Sequence, residues 1–74
     1  RRLFARLKGL RKALADEHDV PPFVVFSDAT LADMANKLPT NERELLAVSG
    51  VGQTKLKRYG RAFLSVIERH LAGD

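Results

Sequence analysis

Seventy-four residues provide for one small domain, close to the size at which a single apolar core is only just sufficient. The chain has no cysteine, so disulfides, thiolate metal sites and a cysteine nucleophile are excluded, and its 45% hydrophobic content is that of a globular domain rather than a disordered basic tail. A net charge of +4 with a pI near 10.0 favours an anionic partner, nucleic acid first and an anionic membrane second.

That charge is unevenly spread. Residues 1–15 carry Arg1, Arg2, Arg6, Lys8, Arg11 and Lys12 with no acid, and a second basic cluster holds Lys55, Lys57, Arg58 and Arg61. Asp16, Glu17, Asp19, Asp28, Asp33, Glu42 and Glu44 make the middle acidic. The longest apolar run, Phe23 to Phe26, is far short of the roughly 20 residues that cross a bilayer, and no signal-peptide pattern opens the chain. The expectation is a soluble intracellular domain, residues 1–74, excised from the C-terminal part of a larger polypeptide.

Leu3, Leu7, Leu10 and Leu14, with Phe4 alongside, form one face of an amphipathic first helix. At about 100° per residue, Arg1, Lys8 and Lys12 project from the opposite face and Arg6 and Arg11 flank the stripe. This helix ends near Glu17 to Asp19, because Pro21 and Pro22 do not continue it. Residues 20–26 then read as extended loop, since Val24 and Val25 favour a strand that has nothing to pair with.

Ser27 and Asp28 offer caps for a second helix with Leu31, Met34, Ala35 and Leu38 inward, closed by Pro39. Thr40 or Asn41 caps a short third helix, with Glu42 and Glu44 near its positive end and Leu45, Leu46 and Val48 on its apolar side. From Gln53, the series Leu56, Tyr59, Phe63, Ile67 and Leu71 is helical again, and Gly60 within it predicts either one bent helix or two joined at that residue. The fold class is all-α, a bundle of four to five short helices.

Two segments carry functional expectations. Val48-Ser49-Gly50-Val51-Gly52 joins a short helix to a basic one; its glycines either admit a phosphate to backbone N–H groups, as in helix-hairpin-helix DNA-binding motifs, or simply permit a tight turn with Val51 in the core. In the proline-stiffened segment Val20, Val25 and Phe26 are apolar anchors, leaving Phe23 as the candidate for exposure. An exposed ring beside Lys8, Arg11 and Lys12 would stack on an unpaired base, a contact of about 1–3 kcal/mol. Tyr59 shares the stripe of Leu56 and Phe63 and reads as core.

Enzymatic chemistry finds little support. His18 and His70 lie at opposite ends without ligand partners at i+3 or i+4, the carboxylates are scattered, and no P-loop or nucleophile elbow is present. No catalytic residue, metal site or cofactor is expected.

Leu3-Phe4 with Leu7, Leu10 and Arg11, then Val20-Pro21-Pro22-Phe23-Val24-Val25-Phe26, Ser27-Asp28-Ala29-Thr30-Leu31, and Gly50-Val51-Gly52 with Lys55-Leu56 and Tyr59-Gly60, resemble the HRDC domain, the helicase-and-RNase-D C-terminal module. The likeness is strongest to the version in bacterial RecQ DNA helicases. It implies a helical auxiliary module that helps a helicase engage single-stranded or branched DNA while ATP hydrolysis occurs elsewhere in the parent. In that pattern the position of Phe23 is commonly a tyrosine within a basic, strand-contacting surface; phenylalanine keeps stacking and loses a polar contact.

The resulting expectation is a monomeric, non-catalytic DNA-binding module, cytoplasmic and nucleoid-associated in a bacterium. Phe23 would stack, Lys8, Arg11 and Lys12 would hold phosphates, and Lys55, Lys57, Arg58 and Arg61 would extend the track or form a separate patch. The alternative is a protein-interaction module docking on other domains of the parent.

Overall fold

The computed structural model describes residues 2–73, and Arg1 lies outside them. Five helices follow in order: α1 Arg2–His18, α2 Pro22–Val25, α3 Asp28–Lys37, α4 Glu42–Leu46 and α5 Gln53–Leu71. No strand occurs among the described residues. α1 packs on α2, α3 and α5, and α4 packs on α5.

Each boundary has a local chemical cause. Past His18, Asp19 takes the left-handed conformation (φ 56°). Val20 N–H then donates to the Ala15 carbonyl at 3.0 Å and Asp19 N–H to that of Asp16 at 3.2 Å, the paired bonds of a Schellman end. The segment expected to be extended contains a helical turn instead. Pro22 occupies the first helical position, where its missing N–H costs nothing and its fixed φ suits the turn, and Val24 N–H donates to the Pro21 carbonyl at 3.0 Å. The prolines that end α1 therefore start α2.

Ser27 caps α3 by accepting from Thr30 N–H at 3.1 Å, and Leu38 ends it in the left-handed region (φ 51°) ahead of the buried Pro39. Asn41 caps α4, accepting from Glu44 N–H at 2.8 Å, while the Glu44 carboxylate reaches back to Thr40 N–H at 2.8 Å in a reciprocal box. α5 is one continuous helix through Gly60. A Cβ on Gly60 would stand 2.9 Å from Leu56 Cδ1 of the same helix and in ordinary contact, 3.5 Å, with Leu45 Cδ2 of α4, so the glycine lies at the α4–α5 seam without breaking the helix.

Leu7, Val25, Leu31, Met34, Leu45, Phe63 and Ile67 are fully buried, so every helix contributes to one core. On α1 the buried line runs Leu3, Leu7 and Ala15, and Leu10 and Leu14 are only partly covered. Leu71, expected inward, is half exposed, because α5 outlasts its buried stripe by a turn beyond Ile67.

The α4–α5 turn is fastened to α3. Ser49 N–H donates to Asp33 Oδ2 at 2.8 Å, and Lys37 pairs with the same oxygen at 3.0 Å while donating to the Ala47 carbonyl at 3.2 Å. Gly50 sits at φ 87°, with the position of an added Cβ occupied by the buried Thr30 hydroxyl. Gly50→Ala should therefore cost at least about 1 kcal/mol in chemical denaturation, because strain and collision act together.

Hydrogen bonds from Ser49 N–H to Asp33 and from Thr40 N–H to Glu44 hold both carboxyls below their ordinary values. Groups so depressed stabilise the fold above the ordinary carboxylate range and lose that contribution as pH falls through the depressed values. The melting temperature should accordingly fall below about pH 4, and Asp33→Asn should flatten that decline.

Candidate nucleic-acid interface

Phe23 is 69% exposed and Val24 38%, whereas Val25 and Phe26 are 0% and 1%. Pro21 and Pro22 are exposed as well, so α2 presents an apolar knob on a firmly anchored base. Three-residue spacing on a continuous helix would place Phe23 and Phe26 on one face. The helix stops first: Phe26 is extended (φ −153°, ψ 147°), which breaks the period and lets its ring enter the core.

There the ring meets Phe63 edge-on at 5.0 Å and Tyr59 at 6.1 Å between centroids, and Tyr59 is buried as expected. Lys55 Nζ lies 5.8 Å from the Phe26 centroid, bringing one cation of α5 to the base of α2.

Arg11 occupies a different place from the one expected. It falls on the α1 line Leu3, Leu7, Ala15, at intervals of four residues, and its side chain is only 11% exposed. One guanidinium nitrogen donates to the Phe26 carbonyl at 3.0 Å and pairs with Asp28 at 2.7 Å. That hydrogen bond, with the charge of Arg11 behind it, holds the Asp28 carboxyl below its usual range. Arg11 is a strut joining α1 to the α2–α3 link, with its charge already met by a carboxylate.

Lys12 is paired too, with Asp16 at 3.2 Å one turn along α1. Lys8 is exposed, has no carboxylate within ion-pair distance among the described residues, and stands 5.4 Å from the Phe4 ring centroid. By helical geometry Lys8 and Lys12 stand about 60° and 100° round α1 from Arg11, on the same side.

The second basic cluster divides. Around α5, Lys55 and Lys57 leave on opposite flanks of the buried stripe Leu56, Tyr59, Phe63, Ile67, and Arg58 and Arg61, three residues apart, share the outer face between them. Lys57 and Arg61 line a concavity with Glu42, Gln53, Thr54 and Leu56 at the α4–α5 end, away from the Phe26 contact of Lys55. The glycine turn beside it keeps Val51 6% exposed, spends Ser49 N–H on Asp33 and needs Gly50 for its φ of 87°, whereas Gly52, at the N-cap of α5, has open space around it.

Sequence reasoning named Asp16 and Asp28 but overlooked them as the partners of Lys12 and Arg11. The first was legible as the i+4 partner of Lys12; the second lies seventeen positions from Arg11 and has no local signal. Among the described residues no cluster of His, Cys, Asp and Glu could hold a metal ion, and no helix is long and apolar enough to cross a membrane.

Comparison with known proteins places this geometry. The family model of the HRDC domain matches residues 1–67. The chain is 50% identical over 70 residues to the ATP-dependent DNA helicase RecQ of Haemophilus influenzae, covering 95% of this chain and 11% of that protein. It is 53% identical over 68 residues to RecQ of Bacillus subtilis, covering 92% and 12%. A solved structure, HRDC domain 3 of D. radiodurans RecQ, superposes with a TM-score of 0.92 at 37% identity, covering 96% of this chain and 93% of that one. The chain thus spans about one ninth of the length of its helicase relatives.

Arg11→Met keeps the stem of the side chain and deletes its hydrogen bonds. The Asp28 carboxyl should then return to the ordinary range in an NMR titration, and unfolding should become easier by about 1–3 kcal/mol as the Phe26 carbonyl loses its donor.

Proposed function

Because the chain belongs to the HRDC family, we propose that it is a non-catalytic auxiliary module of a RecQ-type DNA helicase that holds unpaired DNA through Phe23. The observation that carries this reading is the 69% exposure of an aromatic just ahead of the buried anchors Val25 and Phe26. Leaving a phenyl ring in water forgoes burial worth about 1.5–3 kcal/mol, whereas a ring on a rigid base pays little ordering entropy when it stacks.

The phosphates are met by cations that have no carboxylate partner among the described residues: Lys8 on α1, Lys55 at the Phe26 ring, and Arg58 one turn along α5. Arg11 positions the platform from beneath. Lys12 contributes only when it gives up Asp16, and Lys57 and Arg61 serve a separate edge. The phenylalanine carries stacking without a hydroxyl contact, so discrimination among bases is weak. ATP turnover belongs to the remainder of the parent polypeptide.

A second reading has its own support. Pro21, Pro22, Phe23 and Val24 form a contiguous exposed apolar surface, which suits docking on another domain of the parent.

NMR titration of the domain with a short oligo-dT strand separates the two. Shifts centred on Phe23, Lys8, Lys55 and Arg58 support strand binding, and an unperturbed spectrum supports docking. Phe23→Ala should weaken oligo-dT binding by about 1–3 kcal/mol with an unchanged melting temperature. With three unpaired cations, log affinity should fall against log salt with a slope of about −2, at roughly 0.7 per phosphate; the four contacts suggested by counting charges in the sequence would give about −3.

A further inference from the structure

On the α1 side of the Phe23 surface two cations, Arg11 and Lys12, are paired, and one, Lys8, has no carboxylate partner among the described residues. Arg11 is held by Asp28 at 2.7 Å and Lys12 by Asp16 at 3.2 Å, and the Asp28 and Asp16 side chains are 67% and 69% exposed. Two carboxylates therefore stand in solvent: Asp28 at the base of the Phe23 turn, and Asp16 one turn beyond Lys12 on the outer face of α1, about 140° round from Arg11. Asp28 has a structural use, because it fixes Arg11. Asp16 has none: Lys12 is 75% exposed, and a surface i,i+4 pair adds only a few tenths of a kcal/mol to a helix.

We infer that Asp16 and Asp28 are specificity-determining residues of this surface, lowering its attraction for the phosphate backbone so that stacking on Phe23 decides what binds. The inference rests on the proposed strand-binding role of Phe23. Its physical basis is the difference in charge density between nucleic-acid forms. Duplex DNA carries one charge per ~1.7 Å of axis and offers the surface nothing except phosphates, because its bases are already stacked. A single strand has a lower charge density and supplies unstacked bases. Carboxylates that occupy cations penalise the duplex more than the strand, a specificity element that works by subtracting attraction.

The experiment uses Asp16→Asn, which leaves the Arg11 strut intact, and measures affinity for a short oligo-dT strand and a matched hairpin duplex across a salt series. One uncovered cation should steepen the slope by about 0.7 for the strand and 0.9 for the duplex. At about 50 mM salt those slopes set upper limits of about 8-fold on the gain for the strand and 15-fold for the duplex, so the preference for single strands narrows by up to about twofold. The gain should vanish in Asp16→Asn/Lys12→Ala. It should also be absent in Glu68→Gln, which makes the same change in net charge on the last turns of α5. Asp28→Asn, followed with a thermal melt, should add to the gain of Asp16→Asn if the domain stays folded.

Slopes and affinities of Asp16→Asn equal to those of the unaltered domain would overturn the inference, as would an equal gain in Glu68→Gln. The two levels fail separately. Binding that depends on Phe23 but ignores Asp16 removes only the role of the carboxylates. Binding indifferent to Phe23→Ala removes the strand-binding role and this inference with it.

Discussion

Phe26 is where the three parts of the molecule meet. Its ring lies edge-on to Phe63 and Tyr59 of α5, its carbonyl takes the Arg11 hydrogen bond from α1, and its extended backbone separates α2 from α3. A buried phenylalanine contributes about 1.5–3 kcal/mol through area and each edge-to-face pair adds about 0.5–1.5 kcal/mol. In a domain of this size such a residue has a large share of the net stability. It also has a directional consequence. Since Phe26 is pinned and the helical period ends just before it, the preceding turn is fixed with Phe23 outward.

Exposure of an aromatic and stability of the fold are thus compatible through a division of labour within one four-residue run. Val25 and Phe26 are in the core, and Phe23 and Val24 are on the surface. The two prolines assist by stiffening the approach: Pro21 provides the extended entry and Pro22 the first helical residue. A flexible loop with the same side chains would lose more entropy on stacking.

The electrostatics show why counting charge along a chain overstates a binding surface. Six cations precede the first acid, yet α1 delivers Arg11 to Asp28 and Lys12 to Asp16. Arg11 shares its line on the helix with Leu3, Leu7 and Ala15, a position that long side chains tolerate by burying their stem, and a buried guanidinium needs both a carboxylate and a carbonyl to compensate for lost water. Asp28 supplies one and Phe26 the other. The second basic cluster is divided by helical periodicity alone, which sends Lys55 and Lys57 to opposite flanks of α5 with Arg58 and Arg61 on the outer face between them.

The sequence by itself determined the helical class, the caps to within one residue (Ser27 or Asp28, Thr40 or Asn41), most inward positions of the stripes, the family likeness and the singling out of Phe23, because each depends on spacing or on chemistry within about one helical turn. Tertiary structure alone decided the Arg11–Asp28–Phe26 junction, the seating of Gly50 over Thr30, the unbroken course of α5 past Gly60 and the exposure of Leu71. Each of these depends on which distant segment arrives alongside, and that is settled by packing of the whole core. The helical turn at Pro22–Val25 lies between the two. Proline at a first helical position was readable as a start, but the choice against an extended course follows from burial of Val25 and Phe26, which only the assembled bundle provides.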